Sequence, residues 1–238
     1  AGIAGLTSLQ VLSLTDTPVY DFTPVSGLTN LRYLAMDSVD APNIEFVSEL
    51  TELRTLKLSY SDVADIGPLA DLTKMRDLTL RAGAFNDLSP LANMANLKKL
   101  DLISSGVDDI TPLNDLSALE MLLMDYTNVS DISVVSGMPA LTHLSIVGTP
   151  VEDISPLLGA SSLQNLSLSG VPASDFSVLA GLTSLHRLNL RDTGFDNISL
   201  LANLTGLKHL NIRNTVVTDI SPIKGLIGQG LDVALDDQ

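Results

Sequence analysis

Apolar residues recur along this chain with a period of 22. Leu6, Leu28, Leu50, Leu72, Met94, Leu116, Met138, Ala160, Leu182, Leu204 and Leu226 follow one another at 22-residue steps, with no insertion or deletion. Counting a unit from Leu9 as position 1, its apolar residues are Leu9, Leu12, Leu14, Val19, Phe22, Val25 and Leu28, at positions 1, 4, 6, 11, 14, 17 and 20. The fifth unit repeats the set as Leu97, Leu100, Leu102, Val107, Ile110, Leu113 and Leu116. A fixed internal period of this length marks a stacked array of one small supersecondary unit. The alternation Leu12-Ser13-Leu14 has a period of two and predicts a short, half-buried strand. The three-residue spacing elsewhere suits a compact coil whose corners point inward.

The return half of each unit carries turn chemistry. Thr23-Pro24, Ser89-Pro90, Thr111-Pro112, Ser155-Pro156 and Ser221-Pro222 fall at positions 15 and 16. A hydroxyl N-cap followed by Pro opens a helix. Only a few residues remain before the next strand, so a 3₁₀ or one-turn helix is expected. Position 13 is Asp or Asn in every unit, from Asp21 and Asn43 to Asn197 and Asp219. Short acceptors at a turn bind nearby backbone N–H groups, which makes this column a structural ladder. Stacked carboxylates could instead hold calcium, but two positions are Asn and there is no second acidic column. Position 9 is mostly Thr or Ser, interrupted by Val39 and Val171, and its hydroxyls are expected to bond the backbone of the adjacent coil.

Composition narrows the function. Hydrophobic residues make up 45% and aromatics only 4%, so the core is aliphatic. Cysteine is absent, which excludes disulfides, thiolate metal sites and cysteine nucleophiles. No apolar run reaches the roughly 20 residues of a membrane-spanning helix, so no membrane insertion is expected. A net charge of −15 argues against nucleic acid as a partner.

The unit Leu207-Lys208-His209-Leu210-Asn211-Ile212, continuing through Val217-Thr218-Asp219-Ile220-Ser221-Pro222-Ile223, resembles the SDS22-like leucine-rich repeats of bacterial internalins. The match runs from about residue 3 to 226 and departs in using Thr or Ser where that family prefers Asn. The resemblance implies an α/β repeat solenoid, a curved leucine-rich-repeat horseshoe with a parallel concave β-sheet and short 3₁₀ or one-turn helices on its convex side. Residues 1–225 then hold ten repeats, and 226–238 a partial eleventh repeat or C-terminal cap, with Asp236 and Asp237 as a polar finish. The chain opens with Ala1, and Ile3-Ala4-Gly5-Leu6 matches Leu179-Ala180-Gly181-Leu182, so a preceding repeat or cap is expected upstream.

In this register, positions 3, 5 and 7 of each strand face outward on the concave side, with 2 and 8 flanking them. Position 2 carries Arg32, Arg54, Arg76, Lys98 and Lys208; position 3 carries Lys99 and Arg187. Lys57 stands at position 5, and Arg81, Arg191 and Arg213 at position 7, placing 11 of the 13 basic residues on one surface. Set against Asp37, Asp77, Asp101, Glu120 and Asp125, that surface counts as +6. Tyr33, Tyr60 and Tyr126 join it, and Ile103, Met121, Leu123 and Val147 occupy outward positions in units five to seven. Tyr, Arg and apolar anchors are the usual hot spots of protein interfaces. An apolar centre around Tyr126 with basic flanks is therefore the expected protein-binding face. Solvated arginines whose stems pack across neighbouring strands would give the same column.

Nothing points to catalysis. The three histidines, His143, His186 and His209, form no triad motif, and two neighbouring His make a poor metal site. No cofactor or metal is called for. The expected function is non-catalytic binding of a protein partner, one with acidic segments suiting the basic flanks, by a bacterial secreted or surface protein. The alternatives are an intracellular scaffold, regulatory or effector protein in the cytoplasm, and the substrate-recognition part of a larger enzyme.

Overall fold

The computed structural model describes residues 2–236 and divides into two compact units, Ala1–Leu119 and Glu120–Gln238. Asp237, assigned above to the polar finish, lies outside the described residues.

In the first unit, β1 (Val11–Ser13), β2 (Tyr33–Ala35), β3 (Thr55–Lys57), β4 (Asp77–Thr79) and β5 (Lys99–Asp101) pair in parallel in chain order. Each register step is one repeat, so Leu12, Leu34, Leu56, Leu78 and Leu100 stand side by side. The strands occupy positions 3 to 5, one residue earlier than the alternation predicts. The reason lies at position 6, where the Leu14 amide still donates to Ala35 O at 2.8 Å while its carbonyl turns away to accept the Thr17 amide at 3.1 Å. The chain must then reverse within two residues. It does so with a left-handed residue at position 8 in every coil of the unit: Asp16, Ser38, Tyr60, Ala82 and Ser104 all have φ between 54° and 60°.

The return segments are a one-turn helix, α1 (Thr23–Ser26), and 3₁₀ turns at Glu45–Val47, Gly67–Leu69, Ser89–Leu91 and Thr111–Leu113. Their capping differs from expectation. The position-15 hydroxyl residue is the first residue of the turn, and the acceptor comes from position 13. Asp21 Oδ1 takes the Thr23 amide, Asn43 that of Glu45, Asp65 that of Gly67, Asp87 that of Ser89 and Asp109 that of Thr111, at 2.7–3.0 Å. A side-chain oxygen two residues ahead reaches an N–H that has no intrahelical partner, and Pro24, Pro68, Pro90 and Pro112 at the next position have none to satisfy.

The second unit repeats the plan with β6 (Met121–Leu123), β7 (His143–Ser145), β8 (Asn165–Ser167), β9 (Arg187–Asn189), β10 (His209–Asn211) and β11 (Asp232–Ala234). All pair in parallel in chain order. Position 8 is again left-handed, at Tyr126, Gly148, Gly170, Asp192 and Asn214. A short helix, α2 (Lys224–Gly228), follows the usual 3₁₀ turn at Ser221–Ile223 and precedes β11. Position-9 hydroxyls behave differently from expectation in both units. Thr17, Thr127, Thr149, Thr193 and Thr215 each donate to the carbonyl three residues back in their own coil, not to the neighbouring coil. The carbonyl of position 6, freed from the sheet, is the acceptor these threonines reach, whereas the Ser61 and Ser105 hydroxyls are buried without a hydrogen-bond partner among the described residues. Gly83 adds a third gap to the column beside Val39 and Val171.

Beyond the first coil, where Leu6 is 50% exposed and Leu12 half-buried, the leucine files are buried almost completely: Leu34, Leu56, Leu122 and Leu188 are at most 2% exposed. A fully buried Leu contributes roughly 1.5–3 kcal/mol, so the files hold the coils in register. Phe22, Phe85, Phe176 and Phe195 are buried among them. Among the described residues no helix is long and apolar enough to cross a membrane.

Candidate functional site

Because Leu34, Leu56 and Leu78 point inward, their strand neighbours point out. In the first unit the strands carry Tyr33, Lys57 and Lys99 on this outer face, flanked just before them by Arg32, Arg54, Arg76 and Lys98 and just after them by Tyr60, Arg81 and Ile103, none of them buried. The position-2 backbones are tied directly to one another: Arg54 N donates to Arg32 O at 2.9 Å, Arg76 N to Arg54 O at 2.8 Å and Lys98 N to Arg76 O at 2.8 Å. Four cationic side chains therefore stand in file, one strand apart.

Their neighbours are partly engaged. Arg81 donates to Asp101, with Nε 2.8 Å from Oδ2, and Asp101 also receives the Ile103 amide at 3.3 Å. Asp37 takes the Ser59 amide at 2.9 Å, and Lys57 Nζ lies 5.8 Å from the centre of the Tyr33 ring, within cation–π range. A shallow pocket of about 370 Å³ opens here, lined by Asp37, Lys57, Tyr60, Arg81 and Asp101 among others. Beside the file, the Lys74 ammonium holds the Glu52 carboxyl below its ordinary pKa by hydrogen bond and charge, with smaller help from Arg32 and Arg54.

Tyr60 is 65% exposed and left-handed. A bulky residue is out of place there, and such strain clusters where function uses it. The signal was present in the sequence. Eight of the ten position-8 residues are Asp, Ser, Asn, Gly or Ala, the composition of a left-handed turn, so the tyrosines stand out against it.

In the second unit the outer face carries Met121, Leu123 and Val147, half-buried, and Tyr126, 65% exposed. The Tyr126 ring lies against Gly148, where a methyl group would meet Cδ1 at 2.8 Å. Sequence reasoning missed Gly148, although two successive glycines at position 8 could have shown it. Arg187, Arg191, Lys208 and Arg213 are exposed on the same face, but carboxylates accompany them. Arg191 Nε lies 3.1 Å from Asp192, and Asn214 donates both to Asp192 at 2.7 Å and to Asp236 at 2.9 Å. Asp232 is in register with His209 and lies 3.5 Å from its Nδ1. Arg213 Nε donates to Leu235 O at 3.1 Å.

The count of +6 omitted these groups and needs correction, because Asp16 and Asp192 sit at position 8, and Asp232 and Asp236 arrive with β11. Unit by unit, Asp16, Asp37, Asp77 and Asp101 oppose seven cations in the first. In the second, Glu120, Asp125, Asp192, Asp232 and Asp236 oppose four. The excess of positive charge belongs to the first unit.

The position-13 carboxylates are spent on amides. Asp109 and Asp175 are held below their ordinary pKa by the backbone N–H groups of Thr111 and Ser177 and then by the hydroxyls of those residues. Among the described residues no three His, Asp or Glu side chains converge as metal ligands. His186 turns to Ser184 O at 2.9 Å and His143 to the Thr142 hydroxyl at 2.8 Å.

The family model for Leucine Rich repeats (2 copies) matches residues 183–225. No curated protein sequence matches the chain. Among solved structures, the internalin InlF of Listeria monocytogenes is 30% identical over 100% of this chain and 83% of its own, with a TM-score of 0.71. The internalin InlC2 of the same species is 25% identical, over 98% of this chain and 92% of its own, with a TM-score of 0.63. The functional domain of InlJ, also from Listeria monocytogenes, is 17% identical over 99% of this chain and 55% of its own, with a TM-score of 0.74, and shares the fold. Repeat spacing, parallel coils and identity to InlF sustained along its whole length agree: the chain belongs to the internalin family of leucine-rich-repeat proteins.

Proposed function

We propose that this protein is a non-catalytic recognition module, secreted or displayed by a bacterium, that binds an acidic segment of a protein partner on the outer sheet face of its first unit. The leucine-rich-repeat fold supports protein recognition in general. The observation that carries the finer reading is the sorting of charge. A chain of net charge −15 gathers Arg32, Arg54, Arg76, Lys98 and Lys99 on one small face. Such a patch accelerates encounter with an acidic partner and rejects basic ones. Half-buried Tyr33 and exposed Tyr60 add amphipathic contact area of the kind interfaces favour. In the second unit, half-buried Met121, Leu123 and Val147 and exposed Tyr126 offer an apolar contact surface of their own.

The test is retention of soluble poly-L-glutamate and poly-L-lysine on the immobilised chain, before and after the triple change Arg54→Glu, Arg76→Glu and Lys98→Glu. Retention of polyglutamate should vanish in the variant while its circular dichroism and melting curve stay unchanged. If the wild type fails to retain polyglutamate, or the variant retains it equally, the basic face is solvated scaffolding.

A further inference from the structure

The file at position 2 has a spacing, and that spacing selects among acidic partners. Arg32, Arg54, Arg76 and Lys98 are linked backbone to backbone across neighbouring coils, so their Cα atoms stand about 4.8 Å apart, about 14 Å from first to last. Arg32, Arg54 and Arg76 make no ion pair among the described residues. Like charges this close repel one another, and a row of carboxylates at matching intervals would relieve them.

We infer that the occupant is an acidic α-helix lying across β2–β5, its carboxylates on one ridge. The inference rests on the acid-binding reading above and gives its partner a conformation. Along a helix, residues at i, i+4, i+7 and i+11 advance about 5.4 Å per turn, or about 16 Å over three steps. The mismatch with the file is about 2 Å, well within the reach of Arg and Lys side chains. An extended segment places same-side residues about 6.8 Å apart, about 20 Å over three steps, so its last carboxylate overshoots Lys98. Nor can an extended segment join the sheet along this line, because the file runs across strands whose position-2 amides are already bonded to the coil before. The flanks suit a helix as well. Tyr33 follows Arg32 and is capped by Lys57, and Tyr60 projects from the far end of β3, so apolar residues beside the acidic ridge would find aromatic surface.

Two fluorescent peptides of about 16 residues, long enough to populate a helix, decide the matter. Both hold four Glu in an Ala/Gln background. One places them at i, i+4, i+7 and i+11, and the other spreads them evenly around the helix. Anisotropy titration should show the ridged peptide binding about tenfold tighter, about 1.4 kcal/mol, with a rise in its helicity by circular dichroism. The change Arg54→Glu with Arg76→Glu should abolish that preference. Binding of the two peptides within about twofold of one another overturns the helix inference, while polyglutamate retention keeps acid recognition standing. Failure of both peptides alongside retained polyglutamate also overturns it. Loss of polyglutamate retention as well sinks the function reading itself.

Discussion

Gly83 stands where the coils before and after it carry Ser61 and Ser105, and the ring of Phe85 takes the space. A methyl group at Gly83 would lie 2.3 Å from Cε1 and 2.6 Å from Cδ1 of Phe85, far inside the roughly 3.5–4.0 Å at which carbons sit comfortably. Phe85 is 2% exposed, so the ring has no open side to move into. Overpacking of this kind costs about 1–3 kcal/mol. Against it stands a gain of about 0.4–1 kcal/mol from stiffening the unfolded chain, leaving Gly83→Ala destabilising by about 1–2 kcal/mol. The neighbouring coils solve the same volume with Val63 and Val107 in place of Phe85. In a Phe85→Val background, then, Gly83→Ala should cease to cost anything and stabilise slightly. Urea unfolding of the four proteins of this cycle, followed by circular dichroism with m-values compared, gives the coupling. It should be about 1.5–3 kcal/mol and favourable to the double variant. Gly83→Ala having the same effect in both backgrounds would refute the reasoning.

Two further outcomes follow from the turns. Asp21 and Asp153 are held below their ordinary pKa first by the hydroxyls of Thr23 and Ser155 and then by the amides of those residues, while for Asp109, Asp175 and Asp219 the amide leads. A depressed folded pKa stabilises above the unfolded value of 3.8 and loses that contribution as pH falls through the folded value. Melting temperature should therefore fall as the medium is acidified below about pH 4, and less steeply when Asp109, Asp153 and Asp175 are changed to Asn; parallel curves would contradict the cap assignment. Tyr60→Asn exchanges a strained left-handed residue for a tolerant one, a gain of about 1 kcal/mol, and loses about as much from the third of the ring that is covered. Its stability should stay within about 1 kcal/mol of wild type while polyglutamate retention weakens, and a loss of stability beyond about 2 kcal/mol would show that the tyrosine is structural.

The fold was legible because one number, 22, fixes which residues share a row. Once Leu12 and Leu34 stack, the inward and outward sets follow for Arg54, Lys99 and Met121 alike. What sequence could not supply was the fine partnering. Arg81 and Asp101 lie 20 residues apart, and their pairing appears only when two coils are laid side by side. The same holds for Asp192, which takes the Asn214 side chain, and Asp236, which takes the Asn214 amide, carboxylates set among the residues that spacing alone presented as a second basic flank. The α2 helix and β11 break the 22-residue count, so Asp232 and Asp236 were left out of the charge balance. Hydroxyl direction was also hidden, because stacking at position 9 does not reveal that the nearest carbonyl is in the same coil.

The most direct measurement of the basic file is nitroxide spin exchange between pairs of introduced cysteines, which a chain without native cysteine permits cleanly. Labels at Arg54→Cys and Arg76→Cys, one strand apart at about 4.8 Å, should collapse the spectrum toward a single exchange-narrowed line. Labels at Arg54→Cys and Lys98→Cys, about 10 Å apart, should show dipolar broadening without that collapse. Three sharp hyperfine lines from the first pair, matching the sum of its single-label spectra, would mean that these side chains do not share a row, and the recognition face built on them would be lost.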